Sequence, residues 1–152
     1  VIILNGTLPT DRKRLTVAHE LGHLVLHNHY LDTDVEDQAN QFAAEFLMPA
    51  HVIAPQLTNL TLGKLSDLKA EWGVSMQAIF ERAYRMGQAS AEDRQRFYRQ
   101  MNSRGWKTRE PGSDLLPAET PELAASVGRR LDQSGLTRRE IQFLLGVREG
   151  HV

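Results

Sequence analysis

Apolar residues recur at helical spacing along most of this chain, and the breaks in that spacing divide it into elements. The chain opens on an unbroken apolar run, Val1-Ile2-Ile3-Leu4, closed by Asn5-Gly6, which predicts a strand. A lone strand needs a partner for its ladder groups, so the expectation is a piece of a longer protein. From about Arg12 to His27 the spacing becomes helical, with Leu15, Ala18, Gly22, Val25 and Leu26 on one face. Leu8-Pro9-Thr10-Asp11 supplies capping residues ahead of it. A short acidic loop from Tyr30 to Asp34 leads to a second helix, about Val35 to Met48. Its apolar positions are Ala39, Phe42, Ala43, Phe46 and Leu47, and Pro49 marks its end.

Beyond a proline-interrupted stretch through Pro55, two helices are predicted over Leu62 to Trp72 and Met76 to Met86. Gly73-Val74-Ser75 joins them, with Ser75 as N-cap. Ser90 and Asp93 stand in capping-box spacing before a helix to about Ser103. Three prolines and a glycine within Thr108 to Pro121 suggest a linker. The tail is expected to hold two short helices. Thr120 caps the first, Gly135 closes it, and Thr137 with Glu140 opens the second. The pattern thus predicts a mainly α chain with a small β component, divided into residues 1–110, a linker over 108–121 and a small helical tail over 122–152.

Composition narrows the chemistry. The 152 residues contain no cysteine, which excludes disulfide frameworks, thiolate zinc sites, cysteine nucleophiles and thiol redox chemistry. No run approaches the roughly 18 apolar residues of a membrane helix, and no signal segment opens the chain, so a soluble, cytoplasmic protein is expected. The net charge of −1 hides an uneven distribution. Residues 1–81 carry 5 basic and 10 acidic side chains, whereas residues 82–110 carry 8 and 3. That basic stretch follows the helix-turn-helix outline of residues 61–104. DNA binding is possible on that outline but not favoured, because Met76, Ile79, Phe80, Ala83 and Tyr84 of its second helix are needed for a core. Trp72 and Trp106 read as core or interhelix contacts, and His51 and His151 lack a partner pattern.

Four of the six histidines, His19, His23, His27 and His29, fall within eleven residues. His19-Glu20-Leu21-Gly22-His23 places two imidazoles one helical turn apart on one face, where they can grip a single ion. Glu20, beside the first of them, is set round the helix to reach a water on that ion rather than the ion itself. A catalytic zinc site needs a third protein ligand and an open position. His29 lies six residues after His23, but the glycine that such a pattern needs is replaced by Leu26. An acidic residue of the following helix serves as well. Glu36 is preferred over Asp37 and His29, because the alanines after it allow a close approach of the two helices.

The blocks from Arg14 to His27 and from Glu36 through Ala43-Ala44-Glu45-Phe46-Leu47-Met48-Pro49 resemble the ImmA/IrrE metallopeptidases. The similarity is clear to about Pro49, continues more loosely to about Pro111, and fades beyond. The resemblance implies a zincin-like active-site helix packed on a second helix and followed by a helical C-terminal region. It implies Zn2+ held by His19, His23 and Glu36, with Glu20 as the catalytic glutamate. His27 recurs in the family pattern without being a ligand. The implied activity is intracellular endopeptidase cleavage of a helix-turn-helix repressor, relieving repression in a stress or mobile-element response. The family's upstream helix and strands are expected to be missing from this piece. A second class is a catalytically weak, zinc-stabilised sensor or a repressor- or DNA-binding regulatory module, against which the intact Glu20 argues.

Overall fold

The helical spacing is realised in six α-helices among the described residues of this computed structural model. Those residues are 2, 4–27, 34–119, 129, 130, 133, 135–137, 139 and 140. In chain order the helices are α1 (Thr10–Leu26), α2 (Val35–Leu47), α3 (Ala50–Ile53), α4 (Leu62–Trp72), α5 (Met76–Arg85) and α6 (Ala91–Ser103). The chain divides into two units, residues 1–118 and 119–152. The mainly helical expectation holds. The small β component is not found among the described residues, where Ile2 and Leu4 are not in a strand. Val1, Ile3, His29 and the Thr120-Pro121 helix start lie outside them.

Local signals set most helix ends. The side chains of Thr61 and Ser75 accept from Lys64 and Ala78 at the starts of α4 and α5, and Ser90 and Asp93 form a reciprocal capping box on α6. In the tail unit, Thr137 and Glu140 form the same kind of box: Thr137 N–H donates to Glu140 Oε2 at 2.8 Å. α4 stops at Gly73, whose φ of +65° is the left-handed geometry that glycine adopts freely. Arg14 of α1 reaches this point and donates to the carbonyls of Trp72 and Gly73 at 3.4 and 3.3 Å. A side chain on residue 73 would occupy the space of that guanidinium. The start of α1 departs from expectation. Pro9 is its N-cap and no side chain caps it. Thr10 Oγ1 instead donates to Pro117 O at 3.0 Å, and Asp11 turns inward.

The core sits towards the C-terminal side of this unit. Met48, Ile53, Leu57, Leu65, Val74, Met76, Ile79, Ala83 and Met101 are fully buried or nearly so. Phe80 and Phe97 stack across α5 and α6 with ring centroids 4.2 Å apart. Trp72 and Trp106 pack against this cluster, as expected. α5 spends Met76, Ala78, Ile79, Phe80, Arg82 and Ala83 on burial, which leaves it a packing helix rather than one presented to a groove. Five of the eight basic residues over 82–110 are paired with carboxylates: Arg82, Arg85, Arg94, Arg96 and Arg109. The predicted apolar faces of α1 and α2 need correction. Ala18, Gly22, Ala39 and Ala43 are buried, but Val25, Leu26 and Phe46 are 57%, 47% and 60% exposed.

One buried polar cluster was not foreseen. Lys69 of α4 donates to Asp11 of α1, to Glu110 Oε2 at 2.9 Å and to Ser113 Oγ at 2.7 Å, and Ser113 Oγ donates to Asp11 Oδ2 at 2.9 Å. Glu110 also accepts the first N–H groups of α5, from Met76 at 2.7 Å and Gln77 at 3.1 Å. A carboxylate there satisfies orphan donors and complements the helix dipole. Residues 108–118, taken from the sequence for the start of a linker, thus supply Glu110 and Ser113 to this cluster. Burial alone raises the Asp11 pKa, but the bonds from Lys69 and Ser113 and the Lys69 charge outweigh it and hold the carboxyl below its ordinary 3.8. A group with a lowered folded pKa stabilises the fold above its unfolded pKa, and that stabilisation is lost as pH falls through the folded value. Lys69→Met strands two buried carboxylates, and urea unfolding at pH 7 is expected to show a loss of about 3–5 kcal/mol. As pH falls from 7 to below 3.8, through the lowered Asp11 value, the parent chain loses this stabilisation and the difference should shrink; an equal difference at both ends would exclude the charge account.

Candidate metal centre

The site is built on α1 and α2, and its geometry begins with glycine. A Cβ added at Gly22 would lie 3.1 Å from Ala39 Cα, 3.2 Å from Ala39 O and 3.1 Å from Phe42 Cδ1. The backbones of the two helices therefore meet here with only small side chains between them. Glu36 lies one turn before Ala39 on α2, and His19 and His23 bracket Gly22 on α1. The close approach brings all three donor residues together.

Their donor atoms lie within 4.8 Å of one another. His19 Nε2 and His23 Nε2 are 3.0 Å apart, and Glu36 places Oε2 3.3 Å from the first and Oε1 3.3 Å from the second. An ion bound tetrahedrally through bonds of about 2.0–2.1 Å holds its ligand atoms about 3.3–3.4 Å apart. The nitrogen–nitrogen and nitrogen–oxygen separations are close to those values, with each Glu36 oxygen facing one ring, and two imidazoles with a carboxylate suit zinc. The histidine side chains are 20% and 26% exposed and the Glu36 side chain 74%, so the cluster opens to solvent on the carboxylate side.

The remaining ring nitrogens are also engaged. His19 Nδ1 lies 3.0 Å from Asn40 Oδ1 on α2. His23 Nδ1 lies 3.0 Å from His27 Nδ1, and His27 Nε2 lies 2.9 Å from Gln38 Oε1. Sequence reasoning missed Asn40 and Gln38 and gave His27 only a flanking place. The available signal was spacing: His27 is one further turn along the His19 and His23 face, and Gln38 and Asn40 are two and four residues after Glu36.

The other candidates are placed as follows. Asp37 is turned towards α5, where it pairs with Arg85 Nη1 at 2.7 Å, and it accepts from Gln41 Nε2 at 2.5 Å. The Gln41 bond, together with Arg85, lowers its pKa, and the side chain is committed away from the histidines. Glu20 is partly exposed on α1 and makes no hydrogen bond or ion pair among the described residues. A pocket of about 430 Å³ adjoins the cluster through Asn40 and is lined also by Thr16, Gln77, Glu81 and Arg82.

The family model described as the IrrE N-terminal-like domain, a peptidase family, matches residues 1–84. No curated protein and no solved structure is significantly similar to the chain. If the helix contact sets the donor triangle, Gly22→Val must part α1 and α2, because the added carbon meets backbone. Its Zn2+ affinity, read by chelator competition, is expected to fall at least about tenfold while far-UV dichroism stays helical. An affinity equal to that of the parent chain would show that the contact does not govern the site.

Proposed function

The chain belongs to the IrrE N-terminal-like domain family of peptidases, and from that premise we propose that it is a zinc-dependent endopeptidase whose metal ligands are His19, His23 and Glu36. The observation that carries this reading is the convergence of His19 Nε2, His23 Nε2 and the Glu36 carboxylate, the two nitrogens 3.0 Å apart and each 3.3 Å from one carboxylate oxygen. A zinc ion at these donors would supply Lewis acidity, lowering the pKa of a water toward the neutral range.

The chain's own residues do the rest. Glu20, about 100° round α1 from His19, accepts a proton from that water. As the water oxygen bonds the peptide carbonyl carbon and the C–N bond breaks, Glu20 passes the proton to the departing amine nitrogen. The pocket beside Asn40 offers room for a substrate side chain next to the reacting bond.

The substrate in this reading is a helix-turn-helix repressor, cut in the cytoplasm to relieve repression in a stress or mobile-element response. The resemblance of the two motif blocks supports that choice. No helix among the described residues is long and apolar enough to cross a membrane. The peptidase domain extends over residues 1–110, with the helix-turn-helix-like part over 61–104 serving packing or repressor docking. Residues 108–121 follow it, with Glu110 and Ser113 packed back against Lys69, and residues 122–152 are a small helical tail in this reading.

Incubation of the zinc-loaded chain with a co-encoded repressor is expected to give discrete fragments by mass spectrometry. Glu20→Gln should abolish them while leaving about one zinc per chain; proteolysis that survives in that variant excludes Glu20 as the base. Glu36→Ala is expected to lose the metal, and unchanged zinc content would move the third-ligand role to His29 or Asp37.

A further inference from the structure

Resting on that metal reading, we propose that His27 and Gln38 are positioning residues that fix the tautomer of His23. An imidazole can offer Nε2 to a metal only if that nitrogen carries a lone pair, so a neutral ring must keep its proton on Nδ1. His23 Nδ1 has one partner, His27 Nδ1, at 3.0 Å. Of two facing nitrogens one must donate and the other accept. When His23 Nδ1–H donates, His27 Nδ1 accepts, and the His27 proton sits on Nε2. That nitrogen lies 2.9 Å from the amide oxygen of Gln38, which can only accept. The three groups then form one directional chain, His23 Nδ1–H to His27 and His27 Nε2–H to Gln38, with no repulsive pair.

The opposite direction fails at both ends. A proton on His27 Nδ1 would put the lone pair of Nε2 against the Gln38 oxygen. It would also force the His23 proton onto Nε2, pointing into the donor triangle where no metal bond could form. Gln38 thus selects the tautomer of His27, and His27 selects that of His23. His19 obtains the same result in one step, since its Nδ1 faces Asn40 Oδ1 at 3.0 Å. Both selecting amides stand on α2, as Glu36 does. The helix that supplies the third ligand therefore also orients the first two, and His27, at the C-terminal end of α1, acts through its contact across to α2.

The test uses the 152-residue chain and Zn2+ itself. In the zinc-loaded wild type, long-range ¹H–¹⁵N spectra are expected to show His27 as the Nε2–H tautomer; an Nδ1–H majority at His27 overturns the proposal without any variant. His27→Phe, which keeps a ring but removes the acceptor, is expected to lower Zn2+ affinity about ten- to a hundredfold by chelator competition. His27→Gln, which restores an acceptor oxygen and a donor amide, should recover affinity to within a few-fold. Unchanged affinity in His27→Phe, or a loss in His27→Gln as large as in the phenylalanine variant, overturns the positioning role. A wild-type chain that takes up no Zn2+ overturns the metal reading and this inference with it, whereas normal uptake with indifferent His27 variants sinks this inference alone.

Discussion

The contact of Gly22 with Ala39 is the constraint on which the site depends. Two imidazoles at i and i+4 are prearranged by any helix, but a carboxylate from another helix reaches them only if the backbones approach closely. Side-chain bulk sets interhelical separation, commonly 8–10 Å, and glycine against alanine gives the near end of that range. One carbon added at Gly22 meets the Ala39 backbone as well as the Phe42 ring. The same approach places Asn40 against His19 Nδ1 and Gln38 against His27 Nε2, so the donor cluster and the contacts behind it share one geometric cause.

A close contact of small residues buries little apolar area, and other interactions must hold α1 and α2 in register with the rest. At about 25 cal/mol per Å², Ala18, Ala39 and Ala43 contribute far less than the leucine, methionine and phenylalanine cluster between α3 and α6. Polar anchors compensate. Asp11 ties the first turn of α1 to Lys69 of α4, Arg14 ties its second to the end of α4, and α2 pairs Glu45 with Arg82 and Asp37 with Arg85 of α5. These are not equivalent. The Asp37–Arg85 pair is about 40% exposed on both sides, is screened by solvent and contributes little. Lys69, fully buried with its partners, is far more sensitive, since removing one member leaves uncompensated charge in the interior. The site is thus carried on a small-residue helix pair clamped to a conventional core by specific ionic contacts.

What was legible in the sequence follows the range of each interaction. The helices and caps at Ser75, Ser90 and Thr137 are set by residues within three or four positions, and the sequence located them. The pairing of His19 with His23 is local in the same sense. Glu36 was reachable because the alanines behind it announced a close helix contact. The Lys69 cluster was not legible: the pairs bonded through Lys69 and Asp11 lie 41 to 102 residues apart, and Asp11 reads like a capping residue while Glu110 and Ser113 lie in a stretch that looks like a linker. Burial of charge is a property of the assembled fold and leaves no periodic trace. The outer face of α1 erred for a related reason. The helical period identifies an apolar stripe, but which part of it is covered depends on what packs there, and Val25 and Leu26 remain exposed.

The exposure of Glu36 has a consequence for how the site and the fold are linked. In the metal reading, the two histidine donors sit on one helix and survive any separation of α1 from α2, whereas the third donor and all the orienting amides are on α2. A metal held by all three binds the docked pair much better than the separated one, so by mass action its binding free energy also stabilises docking. At a free metal concentration a thousandfold above Kd that amounts to about 4 kcal/mol, comparable with the loss of a buried ionic contact. A helix pair joined through small residues therefore stands to gain from the ion. Weak hydrophobic packing between α1 and α2 is then not a defect of the design, because larger side chains at the contact would strengthen the interface only by moving Glu36 out of reach.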